Sequence, residues 1–109
     1  MKKLLVAACS LAMLTQASAA LAIDHINKVP MEVQSDADRP CVIFRLEGVA
    51  TADPAVSGSE WFAIPKTHPS YNELFAMVLT TKAGKAPISV RTTGGTACGF
   101  AAVNILAAY

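Results

Sequence analysis

Residues 64–73 read IPKTHPSYNE, which sets His68, Ser70 and Glu73 within six positions. A histidine, a hydroxyl and a carboxylate are the groups of a hydrolytic triad. In such triads the base, the nucleophile and the orienting acid usually come from distant parts of the chain. Close spacing has another meaning. Ser70 followed three residues later by Glu73 forms a capping box, in which the hydroxyl accepts the N–H of residue 73 and the carboxylate accepts that of residue 70. Pro69 biases His68 away from helical backbone. There is no Gly-x-Ser-x-Gly elbow either. The stretch therefore predicts the end of a loop and the start of a helix, and no catalytic residue is assigned.

The rest of the chain falls into place around that helix. Tyr71, Leu74, Phe75 and Val78 recur at helical spacing and make one apolar face, and Gly84 stands where a C-terminal cap belongs. Upstream, Val29, Met31 and Val33 alternate with polar residues as a first strand, marked by Pro30 as an edge or a bulge. A polar turn, residues 35–40, follows. Cys41 to Glu47 is the clearest strand, with Val42, Phe44 and Leu46 on one face and Arg45 and Glu47 on the other. A loop of about a dozen residues, GVATADPAVSGS, leads to a short third strand, Trp61 to Ile64. Downstream, Ile88, Val90 and Thr92 alternate in a fourth strand. Thr93-Gly94-Gly95-Thr96 reads as a turn. Cys98 to Leu106 is a fifth strand, with Ala101, Val103 and Ile105 on one face and Phe100, Ala102 and Leu106, interrupted by Asn104, on the other. A strand apolar on both sides needs cover on both, from the helix or from a neighbouring subunit. Three strands, a helix and two strands is the order of a mainly β fold, a small OB-like five-stranded Greek-key barrel with one helix between strands 3 and 4. A mixed sheet with one packed helix is the alternative.

The amino terminus bounds the compartment. Lys2 and Lys3 precede an apolar run, Leu4 to Leu14, and then small residues, the layout of a secretory signal peptide. Cleavage fits after residue 19 or residue 22, so residues 1–22 are read as the leader and 23–109 as a single OB-like domain. The run is shorter than the ~20 residues of a membrane span. The sequence before Cys9 resembles a lipoprotein box, but the apolar region continues past it, which favours ordinary cleavage and an exported, periplasmic or secreted protein. The leader takes two of nine basic residues and none of the eight acids, which leaves a net charge of −1. That balance offers no basic surplus for a nucleic-acid backbone. Cys41 and Cys98 remain, and in an oxidising compartment an even pair reads as a disulfide.

Candidate ligand residues lie where an OB barrel commonly meets ligands, the face of strands 2 and 3 and the loops joining strands 1–2 and 4–5. They are Ser35, Asp36, Asp38, Arg39, Trp61, Thr93 and Thr96. Their hydroxyls, acids and guanidinium suit sugars better than a polyanion, and Trp61 is either a stacking platform or a core residue. Asp36, Asp38, Asp53 and Glu60 are otherwise solvated turn acids. His25 and His68 are the only histidines, no His-x-x-x-His or Cys-x-x-Cys pair supports zinc, and the cysteines are better used in a disulfide, so no metal site is predicted. No cofactor is expected.

Cys41, Trp61-x-Ala63, Leu74, Ala76, Gly84 and Ile88-x-Val90 carry a resemblance over residues 41–109. Their spacing resembles the OB-fold binding subunits of pentameric bacterial A–B toxins, of the subtilase cytotoxin and typhoid toxin type. The resemblance implies a secreted, non-enzymatic, glycan-binding homopentamer that partners a toxin A subunit. Those subunits hold additional cysteines, so their pairing does not transfer, and none of their sugar-contacting residues is carried over. The alternative is a periplasmic structural, interaction or inhibitor protein with a protein partner.

Overall fold

The chain is described at residues 22–35, 38–56 and 58–108 in a computed structural model. These residues form β1 (Asp24–Lys28), β2 (Pro30–Ser35), β3 (Cys41–Leu46), β4 (Trp61–Pro65), α1 (Tyr71–Gly84), β5 (Ile88–Ala97) and β6 (Phe100–Ala108). The fold is mainly β, with one six-stranded sheet in the order β1-β5-β6-β4-β3-β2. Neighbours run antiparallel except β4 and β6, which are parallel. The two strands at the ends of that order, β1 and β2, are consecutive in the chain and separated by Val29 alone.

This corrects the expected five strands with the helix after the third. The additional strand is DHINK, residues 24–28, whose polar composition carries no period-2 signal. Partners define it instead, through Asp24↔Arg91, His25↔Val90 and Lys28↔Ile88. The register shifts on both sides of the break at Val29. Asn27 adopts a left-handed φ of 54° there, and Pro30 has no N–H to give to a ladder. The Val29 carbonyl accepts the Glu47 N–H at 2.8 Å.

Two further boundaries moved. Residues 93–96 are not a turn between strands, because β5 runs on to Ala97. The Gly-Gly pair is absorbed as a bulge, since Thr92 faces Val103 while Thr96 faces Ala101. The chain reverses instead at Cys98-Gly99. Both have positive φ, 52° and 82°, the backbone of a two-residue type I′ hairpin turn. In β6 the register slips once more, because Arg91 faces Ile105 and Thr92 faces Val103, which leaves Asn104 unopposed. That slip inverts the expected alternation. Ile105 turns outward, 50% exposed, while Leu106 joins Ala101 and Val103 in the core.

The core lies between one face of the sheet and α1. Phe44 and Phe62 stack with ring centroids 5.3 Å apart, and Leu74, Val78 and Thr81 are the buried residues of the helix. α1 packs against β2, β4 and β6. Tyr71 and Phe75, read as members of the inner face, are half-buried at its margin with rings 6.0 Å apart.

The helix ends differ from the expected caps. Ser70 holds the N-cap position, but its side chain makes no capping bond. The predicted Ser70–Glu73 box is therefore not formed. His68 takes over part of its role by accepting the Ser70 N–H on Nδ1 at 3.0 Å. At the other end Gly84 is helical, and Lys85 adopts the left-handed conformation, φ 52°. Lys85 N–H donates to Lys82 O at 3.2 Å and Ala86 N–H to Thr81 O at 2.9 Å, the paired bonds of a Schellman motif.

Candidate functional site

Strict alternation gives β3 and β4 a second face. Val42, Phe44 and Leu46 point inward, so Cys41, Ile43 and Arg45 point outward, and the register sets Ile43 beside Ala63 and Arg45 beside Trp61. Cys41, Ile43 and Ala63 are nevertheless buried. Trp61, Ala97 and Phe100 pack over them as a small second cluster. The hairpin tip supplies that cover. A disulfide joins Cys41 to Cys98, with Cα atoms 6.5 Å apart across 57 residues of sequence, and holds the Cys98-Gly99 turn against the start of β3.

Two half-buried aromatics therefore stand on one outer face, each beneath a guanidinium. Arg45 lies over Trp61 at 5.8 Å from the ring centroid, and Arg39 over Phe100 at 5.9 Å. Arg45 is also gripped from both sides. It donates through Nε and Nη2 to Glu32 Oε1, with the Nε bond at 2.8 Å, and through Nη1 to Glu60 Oε1 at 3.3 Å. The Glu32 hydrogen bond raises the Arg45 pKa further above its ordinary value, with the Coulombic pull of Glu32 and Glu60 adding to it. Aromatic faces with fixed donors and acceptors around them are what a sugar or another flat, polar-edged ligand needs.

The predicted residues scatter around this face. Asp38 and Arg39 line a groove of about 410 Å³ with Pro40 and Cys98. Trp61 is part of the aromatic face. Ser35 is exposed at the end of β2, opposite Val42. Asp36 lies outside the described residues. Thr93 accepts the Gly95 N–H at 3.1 Å within its own bulge. Thr96 is opposite Ala101 of the main core, on the other side of β5 from Ala97, so it is turned away from Trp61. Sequence reasoning missed Arg45 and Phe100 as site residues. Arg45 opposes Trp61 only through cross-strand register, and Phe100 reads in the sequence as part of a second apolar strand face that needs cover from the helix or a neighbouring subunit. The position of Phe100 two residues after Cys98 was the available signal.

Two other predicted roles change. Asp53 is not a solvated turn acid but fully buried. Its Oδ1 accepts the Ala55 N–H at 3.1 Å and its Oδ2 the Thr92 hydroxyl at 3.2 Å. His25 donates from Nε2 to the Ala52 carbonyl at 2.6 Å and meets the Phe62 ring edge-on. Among the described residues no three His, Cys, Asp or Glu side chains gather as a metal site, and no helix is long and apolar enough to cross a membrane. No protein-family model matches the chain, and no curated protein matches it in sequence.

Proposed function

We propose that this protein is an exported, non-enzymatic binding module that presents Trp61 and Phe100 to a glycan. The observation that carries the reading is the pairing of each aromatic with a guanidinium on one outer face, Arg45 over Trp61 and Arg39 over Phe100. A sugar ring stacks its C–H face on an aromatic side chain, and nearby charged groups bond its hydroxyls. The strand order supports the finer fold assignment, an OB-like barrel. β1 and β2 together would be its first strand, bent at Val29 so that one half pairs with β5 and the other with β3. The parallel β4–β6 contact and the helix entering after β4 fit that assignment. The resemblance to the binding subunits of pentameric A–B toxins adds a ring of copies and a toxin A subunit to this proposal. A glycan array probed with the mature protein tests the ligand, and sizing at micromolar concentration tests the ring. Binding lost in Trp61→Ala supports the site. An array without hits, or hits unchanged in Trp61→Ala, removes it.

A second reading has its own observation. Ile26 and Ile105, 62% and 50% exposed, flank a groove of about 310 Å³ that also includes Asp24, Arg91 and Ala107. Exposed apolar side chains around a concave surface suit a protein partner. Capture of one periplasmic protein, lost on Ile105→Glu, would favour an interaction or inhibitor role over glycan binding.

A further inference from the structure

Asp53 is a carboxylate with no exposed surface. The ion pairs of Arg45 with Glu32 and Glu60 and of Arg91 with Asp24 do not include Asp53. Its two oxygens receive only neutral donors, the Ala55 N–H and the Thr92 hydroxyl. A buried carboxylate without a countercharge is costly, and buried charges are normally paired. His25 is on the adjoining strand, but it gives its Nε2–H to the Ala52 carbonyl instead.

The missing charge has a source one residue before β1. The Ile23 N–H donates to Thr92 Oγ1 at 3.0 Å, and the same oxygen donates onward to Asp53 Oδ2 at 3.2 Å. The Ile23 carbonyl in turn accepts the Thr92 N–H at 2.9 Å. Ile23 is thus clamped to Thr92 at both its backbone groups. Its nitrogen can be no farther from the Asp53 carboxylate than those two side-chain bonds laid end to end. Ala22, immediately before it, is exposed. Ala20-Leu21-Ala22 is a small-x-small cleavage sequence.

We propose that the leader is removed between Ala22 and Ile23, and that the α-ammonium so created is the countercharge of Asp53. This rests on the reading of residues 1–22 as an export signal. The cleavage consumes one water. The Ala22 C–N bond breaks, the Ala22 carbonyl carbon gains the hydroxyl, and the Ile23 nitrogen takes the proton. At neutral pH the products are a carboxylate on the departing leader and an ammonium on the domain. An amide at Ile23 has one N–H, which it spends on Thr92. The ammonium has three, so it keeps that bond and turns its charge and remaining donors toward Asp53. Cleavage after residue 19 would leave three residues ahead of Ile23 and carry the charge away from the pocket. Processing thereby completes the domain's interior electrostatics, and the uncleaved or wrongly cleaved chain lacks that ion pair.

The test begins with the intact mass of the protein exported by its own leader, followed by NMR titration of its α-amine. The expected result is a chain starting at Ile23 whose amine titrates above the ~7.7–8.0 of an ordinary terminus, because a nearby carboxylate favours the charged form. A form carrying Ala22 ahead of Ile23 should melt roughly 4–8 °C lower, and Asp53→Asn should shrink that difference. A chain starting at Ala20 overturns the proposal while leaving export intact. An unprocessed chain overturns both. An Ile23 amine titrating at the ordinary value, or equal melting of the two forms, overturns the ion pair. The titration decides even if Asp53→Asn does not fold.

Discussion

His68 ties the start of the helix to the last strand by donating from Nε2 to the Asn104 carbonyl at 3.2 Å. Its other nitrogen accepts the Ser70 N–H at 3.0 Å, so the ring is the neutral tautomer protonated on Nε2, with both nitrogens engaged. Asn104 is the bulged residue of β6, and a bulge leaves its backbone without ladder partners. The residue that suggested catalysis therefore satisfies two backbone groups that regular structure does not.

His68→Ala should consequently cost about 1–2 kcal/mol, from two hydrogen bonds of roughly 0.5–1.5 kcal/mol each, discounted for partial exposure. Ser70→Ala should cost less than about 0.5 kcal/mol, because its hydroxyl caps nothing. Urea denaturation of the two variants compares them directly. A larger loss for Ser70→Ala would restore the capping box.

Lys85→Gly should stabilise the domain. A side chain in the left-handed region costs roughly 1–2 kcal/mol, a penalty that glycine escapes. Lys85 holds that conformation at the helix end. The Schellman bonds are backbone bonds and survive the change. Thermal melting should show a rise of several degrees, and a fall would mean that the Lys85 side chain does more than occupy the site.

Replacing both cysteines by serine should remove about 4 kcal/mol, the chain-entropy value for a loop of this size, given the 57-residue separation. Ile43 and Ala63 should lose protection from amide exchange earlier than the main core. The hairpin tip that covers them is held by that bond. Uniform loss across both clusters would contradict this order.

The sole tryptophan makes the proposed site self-reporting. A glycan that stacks on Trp61 should shift or quench its emission, and Arg45→Ala should weaken binding by freeing the ring's guanidinium cover and leaving Glu32 and Glu60 facing it. Binding without any change in emission would move the site elsewhere.

Acid should loosen β1. The hydrogen bond from Arg91, 2.7 Å from Nε to Asp24 Oδ1, holds the Asp24 carboxyl below its ordinary value. The folded pKa lies below the unfolded one, so the contribution is present above the unfolded pKa and fades as pH falls through the folded value. The pair is solvent-exposed, so the effect is small and should shrink with added salt. Exchange of β1 amides below about pH 4 should rise in wild type more than in Asp24→Asn. Equal rises would remove the pair from the account.

Strong local patterns were legible in the chain without its fold. The alternation of Val42, Phe44 and Leu46, the helical spacing from Tyr71 to Val78, and the even cysteine pair each follow from chemistry within a few residues or from simple pairing. Mainly β, one helix and a Cys41–Cys98 bond all emerged from them. What only the tertiary structure decided depends on partners far away in sequence. DHINK is a strand because β5 accepts it. Asn104 is a bulge because of the register with Arg91 and Thr92, and that one-residue slip exposes Ile105 and buries Leu106. Asp53 is buried because Thr92 meets it across 39 residues. Arg45 and Trp61 become neighbours only by strand register. Periodicity reports which face a residue could occupy, and the pairing of distant backbones determines which face it does occupy.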